Sequence, residues 1–569
     1  MLSLRRVFLD YDLGLLRIIA GLWGVELAAR DARAAADELA EALLRPDAAR
    51  EVLDSLPPEA RAALENLLAA GGRLPVAQFT RQFGEVRPMG PARRDREQAW
   101  LAPVSPVEAL WYRGLIGRAF AEARPTPQEF FFVPSDLAPL LPQPTPAPPA
   151  VPGEAVPAPE SPLIAGSVIV DDTCTALAYL QNEKASLPLQ DKHRAALGEV
   201  LLQPASLEFI LHLIAHLGLA AGTPFKPQAA QARPFLEAPR AQQHQRLAET
   251  WQTDPTWNDL THVEGLIAEA ITPPNDPLAA RQAILSLLAQ IPIGEWWSLE
   301  SFALAMKDRA PDFQRPAGDY DSWYIRDTAT GEYLRGFENW DRVDGALIRH
   351  IICGPMSWLG LADIGQDTGS LSPAASVRGR REEWGARFRL TRAGRALLHG
   401  ARWPADSPPG KIIIRADGAL AIPRGVNSYD RFTAARFTDW ESPEADRAEV
   451  TTYHYRISAC SLARARDQSV AVRHILAFLN KAGENPVPKS LVAALERWEV
   501  AGTEAVFDEM MVLRVKSADI IERLNASPKT RRCLGETLGP LAVEVKRADW
   551  EKLREAMVEM GMLADSKNV

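Results

Sequence analysis

His212 and His216 stand four residues apart, so on a helix they share one face. That spacing suits two imidazole ligands. Zinc-protease chemistry, however, needs a glutamate directly after the first histidine as general base, and Leu213 holds that place. The pair therefore reads as two partly buried helix residues. Asp319, Asp321 and Glu332 are three carboxylates of the kind that hold divalent ions in a nuclease. Interleaved with aromatic residues, they read more simply as a polar loop. Gly410-Lys411 begins like a phosphate-cradling loop, but Ile412 replaces the required Ser or Thr, and Ala405 stands where the loop's first glycine is needed. Asp508-Glu509 then has no phosphate loop to serve, so ATP hydrolysis by this chain is not expected. Ser461 has no glycine elbow around it, which argues against a hydrolase nucleophile. Cys174, Cys353, Cys460 and Cys533 are too dispersed for a C-x-x-C zinc site or a disulfide framework, and fit a reducing compartment. No catalytic residue, metal site or cofactor is expected.

The remaining chemistry lies in arginines. Arg378, Arg380, Arg381, Arg387, Arg389 and Arg392, with Arg395 and Arg402, face only Glu382 and Glu383 in the same stretch. In a chain of net charge −9 this local excess marks a candidate phosphate-gripping segment. Arg87, Arg93, Arg94 and Arg96 form a second basic loop, and Arg342 and Arg349 sit on a predicted helix beside the first. The competing reading is a solvated loop that balances charge. Trp296, Trp297, Trp323 and Trp340 have the rings to stack on bases, although several fall at helix ends, where core packing is the simpler expectation.

Around these residues the chain must supply several cores. At 569 residues the length suggests about four domains. An apolar fraction of 47% with 24% charged residues is ordinary for a globular chain. The negative net charge argues against coating nucleic acid along the whole length. Arg5 and Arg6 precede an apolar stretch interrupted by Asp10 and Asp12, so no signal peptide is read. Leu207 to Ala221 is too short to span a bilayer. The expected location is the cytoplasm, including the nucleoid. The preference for Arg, Ala and Pro resembles the coding bias of a GC-rich bacterium.

In chain order, residues 1–56 read as a helical segment. Residues 57–141 show three helices, the third started by the capping box Ser105-Pro106-Val107-Glu108, then two strands. This is the order of a winged helix. Residues 142–162 hold nine of the 45 prolines and read as a polyproline-type linker without a core. Residues 163–277 repeat the grammar more faintly, as a degenerate second winged helix: a strand Ser167 to Val170, helices Cys174 to Gln181, Leu189 to Leu202 and Leu207 to Leu217, and trailing helices Arg233 to Trp251 and Trp257 to Ala270. Residues 278–403 form a third, with Asp276 and Ser298 as helix caps, an aromatic insertion, a third helix over Val343 to Met356 and a basic wing. A phrase recurs after each third helix: Arg113-Gly114-Leu115-Ile116, Leu217-Gly218-Leu219-Ala220 and Leu359-Gly360-Leu361-Ala362, with Met560-Gly561-Met562-Leu563 as an echo. Glycine stops a helix in the left-handed conformation, and the apolar residue behind it enters a strand.

Residues 408–565 form a last block. It opens with Lys411 to Pro423, where Asp417-Gly418 between apolar runs predicts a tight type I′ hairpin. Tyr453 to Ile457, Val512 to Val515 and Ala542 to Val545 read as further strands, with helices between and after them. The hairpin, the phrase Tyr455 to Leu462, the helix around Ile475 to Leu479, Pro486-Val487-Pro488 leading to Leu491, Leu495 and Trp498, and the closing Leu553 to Leu563 resemble the helicase-associated domain family related to the N-terminal domain of XPB helicases. The overall arrangement is similar to the winged-helix scaffold subunit of transcription factor IIH. The resemblance implies an α+β docking domain and a DNA-associated or helicase-partner role. It carries over no catalytic residue.

The expected fold class is mainly α and multidomain, with tandem winged-helix domains ahead of an α+β helicase-associated domain. The expected function is a non-enzymatic DNA-binding or scaffold protein in DNA repair or transcription. Its partners would be duplex or forked DNA and a separate helicase or translocase, with no membrane. The alternatives are a protein–protein scaffold without DNA binding and, more remotely, a metal-dependent nuclease.

Overall fold

Helix ends are where this chain repeats itself. Gly114, Gly218 and Gly360 each have φ +65°, a left-handed conformation that glycine adopts without a Cβ penalty. In each case the next N–H reaches back five residues: Leu115 to Leu110, Leu219 to Ile214 and Leu361 to Met356, at 3.2, 2.9 and 2.7 Å. That leucine is wholly buried, and a strand begins within two residues. The same closure occurs at Gly24, Gly71 and Gly561, and even at Ser469 with φ +62°. The glycine turn is therefore a general stop signal in this chain. What repeats is the succession of elements around it.

That succession is seen in a computed structural model, which describes residues 2–121, 128–142, 151–271, 274–315, 318–365, 386–405, 410–441, 450–505 and 510–565. Four helices, α1 (Leu4–Phe8), α2 (Leu13–Leu22), α3 (Ala32–Leu43) and α4 (Pro46–Asp54), lead into a first module. It comprises α5 (Pro58–Ala69), β1 (Arg73–Pro75), α6 (Val76–Phe83), α7 (Pro91–Glu97), α8 (Pro106–Tyr112), β2 (Gly117–Ala121) and β3 (Gln128–Phe132). The strands pair antiparallel in the order β1-β3-β2. Leading helices and module share one core, from Leu4 to Leu141.

The middle module has α9 (Val168–Asn182), α10 (Asp191–Val200), α11 (Leu207–His216), β4 (Ala220–Ala221) and β5 (Lys226–Pro227). Here the first strand has shrunk to one bond, Phe225 N–H to the Ala185 carbonyl at 2.8 Å. After α12 (Ala229–Glu237), α13 (Arg240–Thr253) and β6 (Leu266–Ala270) comes a third module. It runs α14 (Pro277–Leu288), β7 (Trp297–Ser298), α15 (Leu299–Arg309), β8 (Tyr324–Asp327), α16 (Trp340–Ile351), β9 (Ala362–Gly365), β10 (Arg387–Leu390) and α17 (Arg392–His399). Its sheet order, β7-β10-β9, repeats that of the first module. Both modules draw on a second core, from Ile169 to Ala393.

The last block contains two sheets. β11 (Ile413–Ile414), β12 (Ala419–Pro423), β13 (Asp439–Glu441) and β14 (Thr452–Arg456) pair as β11-β12-β14-β13, with α18 (Ser428–Ala435) between them in sequence. Then follow α19 (Ala459–Asp467), α20 (Val472–Ala482), α21 (Lys489–Ala501), β15 (Met511–Arg514), α22 (Ala518–Ala526), α23 (Pro528–Arg531), β16 (Leu534–Gly539), β17 (Ala542–Val545) and α24 (Trp550–Glu559). The second sheet has the order β15-β17-β16 over a small core that includes Leu524, Val543 and Leu553. Contacts divide the chain into two compact units. One holds residues 1–415, 419–457 and 481–485, and the other holds 416–418, 458–480 and 486–569. The first sheet of the block thus belongs to the larger unit. The architecture is mainly α and multidomain, with small sheets.

Several local expectations are corrected. Ser167 to Val170 is not a strand: α9 begins at Val168, and burial on every side from Ile169 to Ala178 overrides the extended preference of a β-branched run. Arg233 to Trp251 is two helices, broken at Ala238-Pro239. Trp257 to Ala270 is a single turn, Asp259–His262, followed by β6, because Gly265 (φ +82°) stops the turn and β8 of the aromatic insertion offers a pairing partner. The third helix of the third module starts earlier, at Trp340, and closes through a π-helical turn, Ile352–Met356, that contains Pro355. At Asp417-Gly418 only Gly418 has positive φ, and Arg415 N–H bonds the Ala419 carbonyl at 2.9 Å, so the hairpin has a three-residue loop and not a type I′ turn. The described part of the proline-rich segment is no free linker. Val156 N–H bonds the Trp296 carbonyl and Leu163 N–H bonds that of Ile364, at 2.8 and 2.7 Å, which lays it along both margins of the third module's sheet.

The helix stops allow a direct comparison. A Cβ on Gly24 would meet nothing within 4 Å, whereas one on Gly360 would lie 1.7 Å from the Gly166 carbonyl oxygen. Gly24→Ala should cost about 1 kcal/mol, the left-handed penalty alone. Gly360→Ala should cost several times as much, read as a lower urea midpoint.

Candidate nucleic-acid and partner interface

A groove-reading helix must offer an exposed face. The three third helices do not. On α16 Val343, Asp344, Gly345, Leu347, Ile348 and Ile351 are buried, and Arg342 is its one exposed residue. Asp344 lies wholly inside, where Gln314 and Arg315 donate to it at 2.7 and 3.1 Å. Burial pushes its carboxyl up, against the pull of Arg315. On α8 no residue is exposed, and on α11 only Glu208, Ala215 and His216 are. These helices are the centre of their modules because apolar residues cover nearly their whole circumference.

The arginines separate into three groups. Arg378, Arg380 and Arg381 lie outside the described residues. Most others are committed internally. Arg87 forks onto the buried Glu108 at 2.7 Å and reaches the carbonyls of Ala99 and Ala102. Arg94 is buried against Asp12, at 2.8 and 2.9 Å, and Asp95. Arg93 pairs with Glu97 one turn on. Arg342 pairs with Asp327 at 2.7 Å. Arg387 donates to the Pro157 carbonyl at 2.6 Å and so holds the proline-rich segment. Arg389 pairs with Asp363 at 2.6 Å and lies over the Trp296 ring. Arg349 is half-buried on α16. Arg96, Arg392 and Arg395 form the third group: they are exposed and have no ion-pair partner among the described residues. Arg392 and Arg395 are one turn apart on α17 and face the same side.

The other candidates also settle into structure. Trp296, Trp297, Trp323 and Trp340 are core residues. Trp297 and Trp340 donate their indole N–H to the carbonyls of Pro152 and Pro311. Asp319 accepts the backbone N–H groups of Asp321 and Ser322, at 2.9 and 3.1 Å, and so organises a turn. Asp319, Asp321 and Glu332 are not brought within ligand distance of one another. The nuclease expectation loses its geometry. Asp508-Glu509 lies outside the described residues. Gly410 bonds its N–H to the Gly425 carbonyl, a strand-margin contact and not a phosphate cradle.

A dense polar centre among the described residues carries no clear sign in the sequence. Asp171, on α9, is buried among three guanidinium groups. Arg240 of α13 forks onto its carboxylate and also binds the Ser167 hydroxyl and carbonyl. Arg424, just past β12, reaches it at 2.8 and 3.0 Å. Arg431 of α18 lies 3.8 Å from it and donates to the Asp171 carbonyl, Thr175 Oγ1 and the Tyr455 hydroxyl. Burial alone would push this carboxyl up. The arginines together more than offset that and hold it below the usual carboxylate range. Next to it Asp172 accepts the N–H groups of Leu202 and Gln203 at 2.9 and 2.8 Å, and burial raises its carboxyl to about 7. This network ties the first sheet of the last block to the middle module. The only sequence signal for it was an acidic pair at the start of an otherwise apolar helix.

A family model described as "Helicase conserved C-terminal domain" matches residues 412–539, from the start of the β11 hairpin to the end of β16. No curated protein matches the chain. The chain therefore carries a helicase-associated domain, and its relation to helicases rests on that stretch.

Asp171→Ala should cost about 3–5 kcal/mol, because it strands buried cations, and more than Arg424→Ala. Differential unfolding in urea measures both. Asp172 predicts a pH effect of definite sign. Its folded pKa lies above the ordinary 3.8, so its neutral form stabilises the fold at low pH, and that advantage is lost as pH rises through about 7. The stability difference between wild type and Asp172→Ala should therefore shrink steadily between those two limits.

Proposed function

We propose that this chain is a non-enzymatic scaffold for a separate DNA helicase or translocase, working in DNA repair or transcription. The helicase-associated block docks the motor. The upstream modules form the frame that holds it; the first and third have a third helix followed by two strands and a first-third-second sheet order, with α7 inserted in one and β8 in the other, a plan that resembles a winged helix. That reading is similar in plan to the winged-helix scaffold subunit of transcription factor IIH. The observation that carries it is the burial of all three third helices. A winged helix used as a frame can bury the helix that a groove reader must expose.

A second reading keeps contact with duplex or forked DNA. It is favoured by one observation, the exposed Arg392 and Arg395 on one side of α17, which have no ion-pair partner among the described residues. Such contact would be to phosphates, independent of sequence and sensitive to salt.

The two readings separate in one set of measurements on the purified full chain. The scaffold reading expects no ATP hydrolysis by the chain alone and a salt-resistant complex with a helicase on gel filtration. It also expects that complex to survive Arg392→Glu with Arg395→Glu. Under the phosphate reading, the same double change weakens low-salt binding to forked DNA and lowers the slope of log affinity against log salt by about two. ATP hydrolysis by the isolated chain would overturn both.

A further inference from the structure

The histidine pair gains a third member in the fold. On α11 His212 and His216 lie one turn apart, and Asp254, the residue just past the end of α13, points its carboxylate at both. His212 Nε2 is 2.5 Å from Asp254 Oδ2, and His216 Nδ1 is 3.3 Å from Oδ1. One nitrogen or oxygen from each residue lies within 4.8 Å of the other two. We propose that His212, His216 and Asp254 bind a divalent first-row transition ion of the zinc class. The missing glutamate at Leu213 argues against hydrolysis. It does not argue against binding, which needs only the donors.

The donor set has the right chemistry. Two neutral imidazoles and one carboxylate form a borderline set that suits Zn²⁺, at metal–ligand distances of roughly 2.0–2.2 Å. The set is also built, in that its least mobile member is fixed from behind. The Asp254 side chain is wholly buried while the two histidine rings are 25% and 36% exposed, so the remaining coordination position would face solvent and take water. Thr256 donates its N–H and hydroxyl to Oδ1 at 2.7 and 2.5 Å. The Asp254 carbonyl accepts from Arg281 at 2.7 Å. Arg281 is itself fully buried, and it also holds the carbonyls of Trp251 and Trp257 and the Asp259 carboxylate. The loop that presents Asp254 is thereby locked from the core side. Trp257 packs on the His212 ring with centroids 5.0 Å apart, which orients that ligand. Hydrogen-bonded partners of this kind set ligand geometry in metal sites. The ion would staple α11 to the segment after α13, within the larger unit.

The test uses the untagged full chain, freed of metal by chelator dialysis. Zn²⁺ titration is followed by calorimetry, and Co²⁺ by its visible ligand-field absorption. The expected result is one ion per chain, affinity reduced at least about tenfold in His216→Ala, and a zinc-dependent rise in apparent Tm in wild type that the variant lacks. His216 is the most exposed of the three ligands, so its variant should fold, and the metal-free Tm verifies this. For the case where it does not fold, Asp254→Asn keeps the shape of the loop and should show the same loss. The proposal is overturned if wild type takes up no ion. It is equally overturned if the His212→Ala/His216→Ala double variant binds with wild-type stoichiometry and affinity, which would place the ion elsewhere.

Discussion

One buried carboxylate sets the terms for the larger unit. Asp171 stands among Arg240, Arg424 and Arg431, and no two of those arginines come from the same element. A carboxylate in a dry interior is unfavourable without partners, and three guanidinium groups in one place are unfavourable without a carboxylate. Each makes the other tolerable only if α9, α13, α18 and the turn after β12 arrive together. The helix on which Asp171 sits is buried almost all round, so its register cannot slip without pulling the charge from its partners. The network therefore specifies one assembly of the middle module with the sheet behind it. This is why the stretch related to helicases and the physical unit do not coincide. The relatedness begins at Ile412, but the sheet it opens depends on residues from as far back as Ser167.

Much of the frame was legible because its signals are local. Ser105 and Ser298 cap their helices as their spacing indicates, with the side chain accepting an N–H three residues on in each case. The glycine phrases after the third helices mark true stops. The hairpin at Asp417-Gly418 exists, although its loop is longer than a two-residue turn. What was not legible is long-range. Arg94 looked like a free basic residue because its partner, Asp12, lies 82 positions away. Arg387 looked like a phosphate clamp and instead holds a carbonyl 230 positions earlier. Sequence shows the sign of a charge and not what neutralises it, so a run of arginines overstates the positive surface. The histidine pair erred in the opposite sense. Taken alone it lacked a third donor, and Asp254 comes 42 residues after His212.

The middle module shows how far the repeated plan can be reduced. Its leading strand survives as one hydrogen bond between Ala185 and Phe225, and β4 and β5 are two residues each. The three-helix core carries the module, with Ile210, Leu213 and Ile214 at zero or near-zero exposure. The extra polar networks around Asp171 and Arg281 then supply the specificity that a short hairpin cannot.

The proline-rich segment has a consequence for self-association. Small antiparallel sheets carry a hazard at their outer strands, where unpaired backbone groups can recruit a strand from another molecule. In the third module the outer strands are β7 and β9, and the chain itself lies against both, near Ala155 and near Leu163. Proline lacks an N–H to donate, so the covering segment takes up the open margin while offering little of its own. The module's sheet is in effect hemmed on both sides by its own tether. At those two places a strand from another molecule would have to displace the chain's own segment before it could pair with this sheet.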